Sequence, residues 1–449
     1  MSHPSVRETA LDLLLAVTKK HAYSQIALNE ALSSNPFSDK DKSLVTTLFY
    51  GVLQRKLTLD FYLSAFVHSK KKLDDWVELL LLLSFYQKVY LDRIPDHAIV
   101  NEAVMIAKKR GHRGISGLVN GVLRHFLREG IPDISKVQSE RKRLSLQYSH
   151  PEWLIDLWKT QWDLSDALKI AEANNQPPNV VIRVNRIKAT REELAEKLAV
   201  EGIRTIPGQL SKDCLIVQNG SVVETHLFKE GFFTIQDESS MLVADVVAPD
   251  QSMTVLDACA GPGGKTTHLA ERMGNQGKII ALDLHPHKTQ LIDHAAERLG
   301  LYTIETRALD ARTAHTAFKE SSFDRVLLDV PCSGLGVIRR KPEIKWMKSA
   351  NEINGLIPIQ QSILEETATL VKSGGWLIYS TCTINKDENE AQIRQFLAQH
   401  SEFHLEPTFA ERLPNVLRDT QSQSGKGMVQ LMPFTCQTDG FFICCLERK

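Results

Sequence analysis

Apolar positions in the first 130 residues recur at spacings of three and four. "VRETALDLLLAV" (6–17), "DKSLVTTLFYGVL" (41–53), "AIVNEAVMIAKKR" (98–110) and "LVNGVLRHFLREG" (118–130) all keep that period, and Gly and Pro fall in breaks such as "RIPDH" and "RGHRG". This pattern predicts an all-helical domain over 1–135, with a helical linker over 136–175 around "YSHPEWLIDLWKTQW". The period then shortens. "NVVIRVN", "CLIVQN" and "EGFFTIQD" read as strands and "TREELAEKLAVEG" as a helix opened by a Thr190/Glu193 capping box, which predicts a small α+β module over 176–238. From about Ser240 apolar runs alternate with helical stretches: "MTVLDAC", "KIIALDL", "YTIETRALD", "FDRVLLDV" and "GWLIYST". Residues 239–449 are therefore expected to form a doubly wound, Rossmann-like α/β domain with a mostly parallel sheet, closed by "GFFICCLER" as an edge strand after an irregular segment.

Charge adds a partner to this picture. Residues 1–143 hold 22 Lys and Arg against 15 Asp and Glu, leaving 32 against 39 for the rest of a chain that is neutral overall. A basic front end suits a polyanion, because Lys and Arg gain affinity by releasing phosphate counterions. Its cations cluster in "QRK" (54–56, with Arg55 and Lys56), "SKKK" (69–72), "AKKRGHR" (107–113) and "RKR" (141–143), a set that could line one RNA-facing surface. The small module is RRM-like in outline, but "VVIRV" and "CLIV" lack the aromatics on which such a sheet stacks bases. It reads as a spacer or backbone cradle.

Composition excludes more than it suggests. A hydrophobic fraction of 43% and a charged fraction of 24% describe an ordinary globular protein. "MSHPSVRETA" lacks the layout of a signal peptide, and the greasiest run, "WVELLLLLSFYQ", carries Glu78 and is too short to span a bilayer. A cytoplasmic protein without membrane contact is expected. Seven cysteines without a C-x-x-C pair predict reduced thiols and no metal site.

In a doubly wound sheet ligands bind beyond the carboxyl ends of the strands. After the first strand of the third domain comes "DACAGPGGKTTHLA", a glycine-rich turn (Cys259, Ala260, Gly261, Pro262, Gly263, Gly264, Lys265) that opens a helix. A dinucleotide fingerprint would need glycine where Thr266 stands, and a triphosphate loop would need it at Cys259. The second strand ends at Asp283, placed for ribose hydroxyls, and the third at Asp310, placed for an adenine amino group. A glycine loop followed by two acids specifies an adenosine without a long phosphate tail, and S-adenosyl-L-methionine fits best.

The fourth strand runs into "DVPCSGLG" (329–336) and the fifth into "YSTCT" (379–383). If these strands are neighbours, Asp329, Cys332 and Cys382 converge on one pocket. That set suits methylation of a pyrimidine carbon: carbon 5 of cytosine becomes nucleophilic only after a thiolate adds to carbon 6, aided by a hydrogen bond or proton at N3. Asp329 fills the N3 role if burial raises its pKa. Spacing does not say which thiol attacks.

Together "DACAGPGGKT", "DVPCSGLG" and "YSTCT" resemble the RNA cytosine C5-methyltransferases. The resemblance implies that Cys382 is the nucleophile, that Cys332 assists release, and that Asp329 holds N3. "YGVLQRKLTLD", "RIPDHAIVNEAV" and "LVNGVLRHF" resemble an antitermination-factor-like (NusB-like) RNA-binding domain. "IRVN", "QDESS" and "IRRKPEIKW" also fall where members carry similar strings. The match implies a bacterial enzyme acting on a cytosine of 16S ribosomal RNA, position 967, as a monomer, on free RNA or in an assembling small subunit. It places Arg339, Arg340 and Lys341 against RNA backbone. Gly261 stands where many members carry alanine, a change that reads as conservative. The alternatives are methylation of another rRNA or tRNA cytosine, a nucleotide-triphosphate-driven RNA enzyme, and a non-catalytic RNA-binding assembly factor.

Overall fold

The computed structural model describes residues 5–20, 22–67, 73–418 and 427–449. The basic knot at 69–72 lies outside the described residues. The chain divides into two compact units, one running to Gln176 and including Ile338–Met347, the other comprising Pro177–Val337 and Lys348–Lys449.

The first unit is helical. Its helices span Val6–Lys20, Ser24–Ser34, Asp39–Ser64, Asp75–Tyr90, Asp96–Arg110 and Arg113–Glu129, then Glu140–Tyr148, Glu152–Gln161 and Leu164–Ala173. Starts are set by side-chain caps: Ser38 accepts from the amide of Asp41, and Asp163 from that of Asp166. The helix at 75–90 is apolar nearly all round and buries Val77, Leu79 through Leu83 and Phe85, which makes it the core element. Each fully buried leucine contributes about 1.5–3 kcal/mol of transfer free energy. Phe85 stacks on Phe126 with ring centroids 3.9 Å apart.

Much of the positive charge in this unit is engaged internally. Arg55 lies over the Tyr90 ring at 5.2 Å and Lys56 pairs with Asp60 at 2.7 Å, both half-buried. Arg110 bridges Glu8 and Asp12, and Arg141 bridges Glu152 and Asp156. The expected free basic face is thus partly a set of helix-to-helix ties.

The segment Ile338–Met347 also corrects the sequence reading. Arg339 is buried, 4% exposed, and so does not present its guanidinium to a phosphate backbone, whereas Arg340 is half-buried and Lys341 exposed. Lys345, 1% exposed, donates to the carbonyls of Gln54 (2.8 Å) and Ser149 (2.9 Å) and to Asn175 Oδ1 (3.3 Å). Trp346 Nε1 donates to the Leu53 carbonyl at 2.9 Å. The sequence places the "RRK" charges against RNA because nothing local in it betrays the acceptors that hold this segment, two carbonyls from residues 54 and 149 and the side chain of Asn175.

In the second unit a four-stranded antiparallel sheet joins β1 (Val180–Val184), β2 (Thr205–Pro207), β3 (Cys214–Val217) and β4 (Phe233–Ile235) in the order β2-β3-β1-β4. The predicted capping box opens its helix, Arg191–Val200. The short β2 had no pattern of its own in the sequence.

The larger sheet contains β5 (Thr254–Asp257), β6 (Lys278–Asp283), β7 (Ile304–Ala308), β8 (Phe323–Asp329), β9 (Val371–Thr381), β10 (Phe403–Leu405), β11 (Met428–Leu431) and β12 (Phe441–Arg448). Its order is β10-β12-β9-β8-β5-β6-β7, with β11 also paired to β12. Strands β5 through β9 are parallel, and the chain reverses direction of build between β6 and β8 on either side of β5. The glycine turn after β5 therefore sits at the topological switch point. "GFFICCLER" is not an edge strand: β12 is held antiparallel by β9 on one side and by β10 and β11 on the other. Its unbroken run of buried residues, Phe441 to Leu446, is the mark of a strand covered on both faces. Among the described residues no helix is long and apolar enough to cross a membrane, and no His, Cys, Asp and Glu cluster could hold a metal.

Candidate functional site

The glycine turn is fixed on both flanks. Ala258 donates its amide to Leu327 and Ala260 to Leu282, stitching the turn to the neighbouring strands β8 and β6. Asp283, at the end of β6, accepts from the amides of Gly261 (3.1 Å) and His285 (2.9 Å), with Lys288 Nζ 3.6 Å away. A Cβ at position 261 would stand 2.3 Å from Asp283 Oδ2 and 2.7 Å from Lys288. Alanine there is not conservative in this chain, because the carboxylate it would displace is held by two amides. Asp310 lies two residues beyond β7. It pairs with Arg312 at 2.6 Å, and the preceding amide, Leu309, bonds the Asp283 carbonyl at 3.0 Å.

A cleft at these strand ends is lined by Gln236, Ser240, Asp257, Cys259, Ala260 to Pro262, Gly264, Lys265 and Asp329. Asp257 is fully buried at the end of β5. Its Oδ2 accepts from Thr266 Oγ1 at 2.7 Å, and its Oδ1 has no hydrogen-bond partner among the described residues. Burial pushes its pKa up to about 7, partly opposed by the Thr266 bond. Burial and the neighbouring carboxylates push the Cys259 thiol up as well.

Strands β8 and β9 are neighbours, with Asp329 opposite Ser380. Asp329 accepts from Lys265 Nζ (2.7 Å) and Ser380 Oγ (3.0 Å). It is not buried as expected: its side chain is 30% exposed, so desolvation is not what would supply a proton at N3, and the ammonium beside it is the available donor. Burial works against the Lys265 charge, but Asp329 outweighs it and holds the pKa above the usual lysine value. Cys332 Sγ lies 3.3 Å from Cys382 Sγ. The hydrogen bond with Cys382, followed by burial, pushes the Cys332 thiol well above its ordinary range.

The loops carrying the two thiols interlock. Gly336 donates to the Cys382 carbonyl (3.0 Å) and accepts from Gly440 (2.9 Å), and a Cβ at 336 would meet the Gly440 carbonyl oxygen at 2.0 Å. The last glycine of "DVPCSGLG" is there so that another backbone can pass.

Several residues were missed in the sequence. Arg183, in "IRVN", is fully buried. It donates to both oxygens of Glu271 (2.7 and 3.0 Å), to Thr267 Oγ1 (3.0 Å), to the Gly264 carbonyl (2.6 Å) and to Gln236 of "QDESS". It thereby braces the first turn of the helix Gly264–Arg272 from below. Glu388 and Asn389, just past "YSTCT", are buried beside the thiol loops. A charged residue inside an apolar strand and two polar ones just after a cysteine strand are the signals that could have found them.

A parallel sheet with a glycine turn at its switch point, acids at successive strand ends and paired thiols defines a Rossmann-like enzyme that acts with a nucleoside cofactor. Family models match along the chain: "16S rRNA methyltransferase RsmB/F" over 244–447, "NusB family" over 4–128, and an RsmF/B-like ferredoxin-like domain over 150–224. "Probable ribosomal RNA small subunit methyltransferase B" of Bacillus subtilis (strain 168) is 45% identical over the full length of both chains. Ribosomal RNA small subunit methyltransferase B of Cronobacter sakazakii is 32% identical over 92% of each. The crystal structure of the protein PH0851 superposes with a TM-score of 0.83 at 28% identity, covering 100% of both chains. The chain belongs to the RsmB/F family of 16S rRNA methyltransferases, with an N-terminal NusB domain. Its cofactor is S-adenosylmethionine, and its substrate is ribosomal RNA. The cleft fits that cofactor on its own terms: a side-chain-free position at 261 against Asp283, and one buried carboxylate oxygen left without a donor at Asp257.

Proposed function

We propose that this enzyme methylates carbon 5 of a cytosine, position 967 of 16S rRNA, through a covalent bond between Cys382 and carbon 6. The observation that carries this reading is the 3.3 Å approach of two thiols beside Asp329. Two sulfurs so close do not both ionise. Burial and the contact with Cys382 push the Cys332 thiol up, which favours its protonated form, and Cys382 is read as the attacking thiolate. This agrees with the division of labour that the family resemblance implies.

In this reading Cys382 adds to carbon 6 while Asp329 holds N3, and the Lys265 ammonium bonded to it is the source of the hydrogen bond or proton that draws electrons toward N3. S-adenosylmethionine supplies the methyl group that carbon 5 then accepts. In the last step the carbon 5 proton passes to water and the bond between Cys382 and carbon 6 breaks with its electron pair returning to the Cys382 sulfur, which the Cys332 thiol 3.3 Å away assists by hydrogen bonding. Asp283 holds the ribose hydroxyls, Asp310 faces the adenine, and residues 259–265 cradle the remainder of the cofactor. Lys341 meets the RNA backbone, and the enzyme works as a monomer. Comparing turnover on free 16S rRNA with turnover on assembling subunits decides which form is the substrate.

The test is direct. Cys382→Ala abolishes turnover and any denaturation-resistant complex with RNA carrying 5-fluorocytosine, whereas Cys332→Ala retains or accumulates that complex. The reverse pattern overturns the assignment.

A further inference from the structure

Glu388 is 0% exposed, and every partner it has is a neutral donor. Its Oε1 accepts from the Ser333 amide (2.8 Å) and Gln360 Nε2 (3.0 Å); its Oε2 accepts from Ser333 Oγ (2.5 Å), Asn385 Nδ2 (3.1 Å) and Thr383 Oγ1 (3.4 Å). Ser333 follows Cys332, and Thr383 follows Cys382. Gln360 Nε2 also reaches the Pro331 carbonyl at 3.0 Å, so Cys332 is gripped on both sides. The next residue, Asn389, does the same for Cys382: its Oδ1 accepts from Thr381 Oγ1 (2.6 Å) and its Nδ2 donates to the Thr383 carbonyl (3.0 Å). Tyr379 Oη anchors the Glu388 carbonyl at 2.7 Å.

A carboxylate stripped of water and given no cation is expensive to bury. Glutamine has the same shape without that cost, but its amide nitrogen would have to face donors. The Oε1 side offers only N–H groups, and the Oε2 side includes another amide nitrogen. Only an acceptor on both oxygens satisfies both loops at once.

We propose that Glu388 is a positioning residue that clamps the Cys332 loop to the Cys382 loop and, by fixing the gap between the thiols, sets the rate at which the enzyme lets go of methylated RNA. The kinetic half rests on the covalent reading above; the geometric half does not. Glu388 touches no reacting atom; its positioning effect passes through Ser333 and Thr383, and its charge adds to what pushes the Cys332 thiol up, so removing that charge alone would speed thiol coupling and not slow it.

The experiment uses the full chain and two variants, Glu388→Gln and the milder Ser333→Ala, with S-adenosylmethionine affinity measured by calorimetry to confirm an intact cofactor cleft. The first readout is disulfide formation between Cys332 and Cys382 driven by glutathione disulfide and mapped by peptide mass. The two thiols lose two protons and two electrons, and the oxidant is reduced to two glutathione thiols. Glu388→Gln is expected to slow this coupling about tenfold or more, the scale on which small misplacements act, with Ser333→Ala in between. The second readout is turnover on 16S rRNA. kcat should fall by about tenfold or more with KM for S-adenosylmethionine unchanged, and the denaturation-resistant RNA complex should persist longer than in wild type. Wild-type coupling rates in Glu388→Gln overturn the clamp. So does loss of cofactor affinity in parallel with coupling, which would make Glu388 a general fold residue. If wild type itself forms no covalent RNA complex, the covalent reading falls, and the disulfide rates still decide the clamp.

Discussion

Glu388 and Asp257 are both carboxylates with no exposure to water, and they are treated in opposite ways. Glu388 has every lone-pair direction answered by a donor from the protein, and those donors tie loops together. Asp257 has one hydroxyl on one oxygen and, among the described residues, no partner in hydrogen-bond geometry on the other, although the Cys259 amide is close, and it lies in the wall of the cleft. A saturated buried charge is architecture. An unsaturated one in the wall of a cleft is where a ligand donor can be accommodated.

Arg183 and Glu271 give the comparison its strongest test, because they answer burial by pairing. Both are essentially inaccessible and bonded through two contacts. Removing one partner strands the other, so Arg183→Met should lower stability by about 3–5 kcal/mol, and replacing both with apolar residues should recover most of it. Denaturant unfolding followed by a probe in the second unit checks this. The Gly264 carbonyl also loses its donor in the single variant, so S-adenosylmethionine affinity should fall with it. Recovery of stability without recovery of affinity in the double variant would separate the pair's structural role from its support of the glycine turn.

Lys345 is the cationic counterpart of Glu388, a buried charge satisfied by neutral groups alone. Burial lowers its pKa well below the usual lysine value. Lys345→Met fills the same space and leaves three acceptors bare, which should destabilise the helical unit by about 2–4 kcal/mol. Thermal melts of the full chain followed by a helical-unit probe measure it. An undiminished melting point would mean that water replaces the ammonium and that saturation is not what holds Ile338–Met347 in place.

How much of this was legible follows from the range of each interaction. Helix periods, the Thr190 capping box and the strand-end acids are local patterns, and the sequence carried them. The meeting of "DVPCSGLG" with "YSTCT" needed only the adjacency of consecutive parallel strands. Lys345, Glu388 and Arg183 are different: each has essential partners distant in sequence, and a Lys or Glu in a polar run looks like solvent-facing charge, while the apolar strand around Arg183 does not say what pairs with it. Arg339 was misread for that reason. β12 was misread as an edge because β11 lies in a stretch without a clear alternating pattern.

For Asp257 the comparison becomes a pH dependence. Its folded pKa of about 7 lies above the value near 3.9 of an unfolded aspartate, so between those limits the folded state holds a proton that the unfolded chain has released. Stability from this group is present at low pH and is lost as pH rises toward 7. Between pH 5 and 7 the loss should reach about 2 kcal/mol. Asp257→Asn removes the titration, so the difference in unfolding free energy between wild type and variant should grow across this window. A constant difference would show that the carboxylate is already charged at pH 5.

The smallest expected effect tests whether the cleft tolerates a side chain beside a carboxylate held by amides. Gly261→Ala puts a methyl group against Asp283 Oδ2, which is bonded by the Gly261 amide itself, with Lys288 crowding the other side. The loop must open by about 1 Å or the Asp283 carboxylate must turn away, and either lengthens or breaks that bond at a cost of about 1 kcal/mol. Cofactor affinity should therefore fall about fivefold with little change in stability, because the strain sits at the mouth of the cleft and not in the core. Calorimetry on Gly261→Ala, with Lys288→Ala added to relieve one of the two contacts, resolves the cause. If the second change restores affinity, Lys288 is the obstacle. If it does not, Asp283 is, and the glycine is required by the residue that the ribose would meet.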